Sequence, residues 1–395
     1  MVSVQEATSI ILSNLFQPKT SNVNLNECLG KTLAEPILAD RDFPPFDRTT
    51  MDGIALAFDS YQEGQVNFKI ESIQAAGESR KKLNSNSGCI EIMTGAMLPE
   101  GTDTIIPYEQ LEINKELATI VTKQVVKGQN IHFQGSDVKK NQLLLDIGKM
   151  ISPAEIALLA SIGKTSVLVH SAPKFVIIST GNELVDIDQI PLPYQIRKSN
   201  SYALQAALAE LGIASQLLHL ADDQDQLQIE IKQALLDFDV LLLSGGVSKG
   251  KFDFVPLALE SLGVHKLFHQ VSQKPGKPMW AGSLGNKFVF ALPGNPVSTF
   301  LCFHRYVKPW LLLSMGTQPN TSKAILSKDF SFKGDLTYFL QVKLANVDGR
   351  LMANPIVGGG SGDFVNLRDV DGFLELPSNK SEFSSGETFD YLAFR

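Results

Sequence analysis

The sequence predicts a multi-domain protein that combines an α/β core with separate β domains, and three observations carry that reading. From Lys174 to Gly316 short apolar runs alternate with segments of helical period, the pattern of βαβ units on a parallel sheet. From Asp40 to about Asp146, and again after Gly316, the apolar runs are short and broken by Gly, Pro and Asn, as in β-rich domains. A length of 395 residues makes about two to four domains at roughly 100–200 residues each.

The elements follow in order. Ser3 and Glu6 form a capping box, and Ala7, Ile10, Ile11 and Leu15 lie on one helical stripe, so a short amphipathic helix opens the chain. VNFKI, TDTIIPYE and LATIVTKQVV are strand-like. Ser152, Pro153 and Glu155 then supply an N-cap, a first-turn proline and the return half of a capping box, with Gly163 as the stop. They predict a helix over 153–162. KFVIIST, ASQLLHL and DVLLLSGG are predicted strands, with helices SYALQAALAELG and QLQIEIKQALLDF between them. KFVFALPGNPVSTFLCFHRYVKPWLLL predicts a strand, a tight turn and a long apolar helix, and YFLQVKLANVDGRLMANPIV and DGFLELP return to strand material.

Composition excludes several classes. With 35 basic and 42 acidic residues the net charge is −7, against the basic excess by which nucleic-acid binders release counterions from phosphates. No apolar run approaches the 18 or more residues of a spanning helix. The N-terminus lacks the basic segment of a signal peptide. Cys28, Cys89 and Cys302 are odd in number and too widely spaced for a zinc knuckle or a disulfide framework. These features together predict a cytoplasmic protein with no membrane or nucleic-acid partner.

Two apparent motifs fail on physical grounds. SIGKTS at 161–166 has Leu158 where a P-loop needs its first glycine, and its helix-then-strand order reverses that of a P-loop. His265 and His269 have helical metal-ligand spacing, but on a strand an i,i+4 pair lies about 13 Å apart. No histidine lies near a serine or cysteine in a nucleophile motif.

Stronger signals lie in loops after predicted strands. DVLLL ends in SGGVSKGKFD, where Gly245 and Gly246 permit close backbone approach and Asp253 opens the next helix. Taken alone, this loop is better explained by a turn and an N-cap than by an anion cradle, and the neighbouring loops raise the case for the cradle. KFVIIST ends in GNEL, which places Glu183 on the same sheet edge, where open parallel sheets bind ligands. KPGKP holds Lys274 and Lys277 in a proline-bracketed loop suited to an oxyanion. PGNP (Pro293, Gly294, Asn295, Pro296) joins a strand to a helix N-terminus, which favours negative charge. FDRTTMDG and IMTGA add Asp52 and Thr94, residues that also suit plain turns.

In composition and order these segments resemble the molybdopterin molybdenumtransferase family, comprising the MoeA proteins and the E domain of gephyrin. PPFDRTTMDGIAL, EIMTGAMLPEGTDTIIPYE, STGNEL, SNSYAL, SGGVSKGKFD, KPGKP and ALPGNPVS follow in family order over nearly the whole chain. The resemblance implies an N-terminal helix and first lever segment over 1–45 and an inserted β-rich domain over 46–140. A returning lever segment would span 141–172. A three-layer α/β domain resembling the molybdopterin adenylyltransferases would span 173–316, and a C-terminal β-barrel 317–395. It implies a homodimer whose site is shared between subunits, Mg²⁺ as cofactor, and insertion of molybdate into the dithiolene of adenylated molybdopterin with release of AMP. The upstream adenylyltransferase is an implied partner.

Carried over residue by residue, the resemblance makes Asp52, Thr94, Asp137, Glu183 and Asp253 catalytic, with Glu183, Asp223 and Asp253 as metal ligands. Lys274 and Lys277 would bind oxyanions, while Ser244, Gly245, Gly246, Pro293, Gly294, Asn295, Pro296 and Ser361 would line the substrate cleft. The chain departs from the family pattern at Asn182, where Asp is usual, and at Ser136, where Glu is common. Further departures are Lys249 and Lys251 in the glycine loop and Gln341, where Arg is common. The competing readings are an adenylyltransferase-type enzyme, which would lack the FDRTTMDG and IMTGA region, and a non-catalytic gephyrin-like scaffold.

Overall fold

The computed structural model describes residues 1–221, 223–247 and 254–395. The chain divides into two compact units. One comprises Met1–Ala34, Ile147–Ile156 and Ser166–Arg395, and the other Glu35–Asp146 and Ala157–Thr165.

The larger unit is built on a six-stranded sheet of β1 (Phe175–Thr180), β2 (Ser215–Leu220), β3 (Val240–Ser244), β4 (His265–His269), β5 (Trp280–Leu284) and β6 (Lys287–Leu292). Its spatial order is β2-β1-β3-β6-β5-β4. The first four of these run parallel, and β5 and β4 complete the sheet antiparallel.

Alternation along the strands explains the three layers, because successive side chains leave opposite faces. Phe175, Ile177, Val240, Leu242, Phe288 and Phe290 pack into one core with the N-terminal helix residues Val4, Ala7 and Ile11, with Leu204 and Leu208 of helix Asn200–Ala209, and with Leu301 and Trp310. Val176, Ile178, Leu241, Leu243, Val289 and Ala291 pack into a second core with Leu227 and Ile231 of helix Gln224–Asp237 and Leu259 of helix Val255–Ser261. Strands covered on both faces read as unbroken apolar runs rather than alternating ones, and β3 is buried throughout.

The local helix signals are realised. Ser3 and Glu6 make the reciprocal capping box of helix Val4–Leu12, and the helix predicted over 153–162 runs Pro153–Ser161. The long apolar helix differs from expectation. It comprises Pro296–Cys302, a π-helical turn Phe303–Val307 and a second α segment Lys308–Ser314. Pro309 supplies no N–H, which accounts for a break in the regular bonding pattern at this place.

Beyond this helix, strands Thr337–Val347, Arg350–Pro355, Ser322–Leu326, Thr388–Ala393 and Gly372–Leu376 pair successively, and the last pairs back to the first. The result is a closed five-stranded β-barrel around Leu326, Leu340, Val342, Ala353 and Leu374, and closure removes the exposed edges an open sheet would carry. Among the described residues no helix is long and apolar enough to cross a membrane.

The smaller unit carries a mixed six-stranded sheet. Its order is Thr104–Pro107, Gly53–Leu56, Gly88–Ile92, Asn67–Gln74, Leu117–Ile120, Leu111–Asn114. Ile54, Leu56, Phe68, Cys89 and Ile106 form its main core.

Candidate active site

Sheet topology gathers the glycine loops. The chain passes from β1 to β2 on one side and then back to β3 on the other, so the order reverses at the carboxyl ends of β1 and β3, where doubly wound sheets bind ligands. Thr180 ends β1, and Ser244 ends β3 directly before Gly245 and Gly246. The φ angles of these glycines are +102° and +68°, a region that side chains rarely adopt. A Cβ on Gly245 would lie 3.0 Å from Thr180 Oγ1, and one on Gly246 would lie 2.7 Å from a methyl of Val255. Close approach thus requires both glycines.

The turn after β6 joins this edge. Gly245 N–H donates to the Leu292 carbonyl at 3.2 Å, and a Cβ on Gly294 would lie 3.6 Å from the Gly245 α-carbon. Asn295 donates its amide to Ser361 Oγ at 2.7 Å, while Val297 N–H donates to the Ser361 carbonyl at 3.1 Å. Ser244, Gly245, Gly246, the Pro293–Pro296 turn and Ser361 therefore form one connected surface. Thr180 Oγ1 and Ser201 Oγ are buried without a hydrogen-bond partner among the described residues. Such groups cost free energy unless something satisfies them, which suits an edge built to take a polar ligand.

The carboxylates predicted for this edge differ in their commitments. Glu183 follows β1 and folds its carboxylate against Gly181. Asp223 follows β2, and its carboxylate accepts from Gln226 N–H at 2.8 Å, capping helix Gln224–Asp237. One of its oxygens is thus occupied by a helix cap. Asp253, with Lys249 and Lys251, lies outside the described residues. Among the described residues no group of three or more His, Cys, Asp or Glu side chains is placed to hold a metal ion.

KPGKP is not wholly a loop, because its first residue lies on a strand. Gln273–Lys274 pairs in parallel with Thr337–Tyr338 of the barrel, since both prolines fall after the paired residues. Lys274 Nζ sits 5.2 Å from the centre of the Phe332 ring. Lys277 is exposed, three residues before Trp280, which pairs with Ala291 near the carboxyl end of β6.

In the smaller unit, register explains why Asp52 and Thr94 meet. Gly53 pairs with Ile92 across antiparallel strands, so the residue before one strand lies beside the segment after the other. Asp52 accepts from Thr94 N–H at 2.5 Å and from its hydroxyl at 2.7 Å. These bonds hold its carboxyl below the usual carboxylate range, the backbone N–H having the larger effect. Gly53 admits no side chain, because a Cβ would collide with the Ile106 carbonyl oxygen. Nearby Tyr108 donates to Glu91, and burial followed by that bond raises its phenol pKa strongly.

Asp137 has partners that sequence reasoning missed. His132 Nε2 lies 2.7 Å from Asp137 Oδ1, and Arg48 lies 3.3 Å from His132 Nδ1. A guanidinium only donates, so the geometry selects the tautomer with its proton on Nε2, directed at Asp137. The strand pairing of Arg48–Thr49 with Ile131–His132 brings these residues together. Sequence spacing gives no sign of it.

Asn200, in the SNSYAL segment, also reaches this surface, with no sequence signal of its own. Its side-chain nitrogen lies 2.9 Å from Ser244 Oγ and 2.7 Å from the Gly294 carbonyl. The rejected motifs stay structural. Lys164 pairs with Glu35 at 3.1 Å, and His269 Nε2 meets the Val247 carbonyl at 3.1 Å. All three cysteines are buried free thiols, and burial pushes Cys302 up to about 12, far from a reactive thiolate.

Comparison with known proteins agrees with this architecture. Residues 2–163 match the MoeA N-terminal region (domain I and II), 176–312 a probable molybdopterin binding domain, and 323–394 the MoeA C-terminal region (domain IV). The chain is 40% identical over 399 residues to a molybdopterin molybdenumtransferase of Synechocystis sp., covering 100% of both chains. It is 33% identical to the protein of that name from Bacillus subtilis, covering 100% of this chain and 94% of that one. A crystal structure of a molybdopterin biosynthesis MoeA protein from Pyrococcus horikoshii OT3 superposes with a TM-score of 0.85 at 29% identity, covering 100% of both chains. With three consecutive family regions, full-length relatives and a matching fold, the chain belongs to the MoeA family of molybdopterin molybdenumtransferases.

Proposed function

We propose that the protein is a molybdenumtransferase of molybdenum cofactor biosynthesis, inserting molybdate into the dithiolene of adenylated molybdopterin with release of AMP. The observation that carries this reading is the connected surface of Ser244, Gly245, the Pro293–Pro296 turn and Ser361 at the switch point of the parallel sheet, with the buried Thr180 and Ser201 hydroxyls unpaired among the described residues. The full-length match to proteins named molybdopterin molybdenumtransferase favours it over an adenylyltransferase or a non-catalytic scaffold.

In this reading the glycine loops let backbone N–H groups approach the phosphates of the nucleotide, which side chains at those positions would obstruct. Lys274 and Lys277 contribute positive charge toward molybdate or phosphate. Asp52, oriented by Thr94, and Asp137, oriented by His132, hold proton-accepting carboxylates in fixed directions. Glu183 and Asp223 are hard oxygen donors at the sheet edge, matching the one or two carboxylates by which proteins hold Mg²⁺ when phosphates complete its shell. Bound there, Mg²⁺ would neutralise charge developing on the phosphates.

The reading includes a cytoplasmic homodimer that receives its substrate from the adenylyltransferase. Incubation with adenylated molybdopterin, Mg²⁺ and molybdate is expected to release AMP and reconstitute an apo-molybdoenzyme. Folded protein that did neither would overturn it. Light scattering is expected to return twice the chain mass.

A further inference from the structure

The two loops that build the cleft are held together by one side chain from a third element. Ser244 ends β3 and Gly294 follows β6, which are neighbouring strands. Gly245, Gly246 and Gly294 carry no side chains with which to lock these loops, although a Cβ on Gly294 would meet the Gly245 α-carbon at an ordinary 3.6 Å. Asn200, the first residue of helix Asn200–Ala209, reaches across instead. Its Nδ2 lies 2.9 Å from Ser244 Oγ, 2.7 Å from the Gly294 carbonyl oxygen and 3.3 Å from Thr299 Oγ1.

A side-chain amide carries two protons, so the two shorter contacts bind one loop each. Thr299 extends the clamp, donating its own hydroxyl to the Pro293 carbonyl. The helix gains no cap from this arrangement, and the Ser199 side chain at its N-cap makes no capping hydrogen bond among the described residues. The amide is committed to the loops rather than to its own helix.

We propose that Asn200 is a positioning residue for the molybdopterin reaction. It fixes the spacing of the Ser244–Gly246 and Pro293–Pro296 loops before substrate arrives. The proposal rests on the reading of this edge as the pterin-nucleotide cleft. Asn200 acts through the loops and not on the reacting atoms, so its loss weakens binding while the chemical step at saturation is largely kept. Pre-organised loops gain affinity by lowering the ordering cost of association.

The test uses Asn200→Asp, which keeps the size but replaces the donor with oxygens facing the Gly294 carbonyl, and Asn200→Ser, neutral and smaller, in case the carboxylate prevents folding. Calorimetric affinity for adenylated molybdopterin is expected to fall at least about tenfold, the loss expected of a hydrogen bond to a buried partner. The turnover number should stay within about threefold, a difference of less than 1 kcal/mol in barrier. Hydrogen exchange of peptides spanning 244–247 and 293–299 in the free protein is expected to accelerate, with the rest of the chain unchanged. Unchanged affinity and exchange would overturn the proposal, as would unfolding of both variants or a loss in turnover number at unchanged KM. If the wild-type protein bound no adenylated molybdopterin, the functional reading would fall, and the exchange measurement alone would decide the role of Asn200.

Discussion

Asp52 receives both hydrogen bonds that Thr94 has to give, one from its backbone and one from its side chain. The two residues are 42 positions apart in sequence and are joined by the register of two antiparallel strands. A carboxylate held in this way stays ionised with its direction set, and both properties matter for proton transfer.

Asp52→Asn is therefore expected to lower AMP release by about a hundredfold, within the range that a positioned acid or base contributes, with the melting temperature little changed because the side chain is exposed. Thr94→Val removes the hydroxyl and keeps the N–H, and should cause a smaller loss. Equal activity of Asp52→Asn and wild type in the AMP assay would return this pair to plain turn chemistry.

The two lysines of KPGKP are expected to separate. Lys277→Gln should weaken molybdate or adenylated-molybdopterin binding at least about tenfold, as for loss of a charge-assisted contact. Lys274→Gln should do the same and in addition lose the contact over Phe332, worth about 0.5–1 kcal/mol at an exposed site. Calorimetric titration and thermal melts of both variants distinguish the two effects. A Lys274→Gln protein that loses stability alone would make that lysine a fastener of the barrel.

Gly246→Ala tests the close approach at the switch point. The +68° φ and the 2.7 Å approach to Val255 predict a cost of about 1–3 kcal/mol, the usual price of strained backbone. Chemical denaturation should show that loss. A neutral result would mean that the loop relaxes freely.

His304 makes stability depend on acid. It is 5% exposed, both ring nitrogens lack partners among the described residues, and Phe300, Phe303 and Phe394 surround it. Burial, with a smaller effect from Lys308, lowers its pKa to about 3 from an ordinary value of 6.5. The unfolded chain then binds a proton that the folded chain refuses. The contribution of His304 to stability is complete above about pH 6.5 and is lost progressively as pH falls toward 3. His304→Phe is expected to flatten that loss in melts from pH 8 to pH 4. An unchanged acid slope would show that other groups set it.

The sequence by itself determined the classes of element and those ends that carry local caps, while the strand in LATIVTKQVV stops at Ile120. Ser3 with Glu6, and Ser152 with Glu155, are local capping signals, and β3 is apolar throughout because both faces are covered. Local propensity and burial period are written in neighbouring residues, so they can be read without the fold. The family motifs likewise marked Ser244, Gly245, Asn295 and Ser361, which the structure joins. Only the tertiary structure decided that His132 and Arg48 attend Asp137, that Asn200 spans two loops, and that Lys274 faces Phe332. Those relations depend on strand register and chain crossing, which bring together residues far apart in sequence. The π-turn at Phe303–Val307 belongs to the same class, because the helical period continues through it and only the packed backbone records the change in bonding.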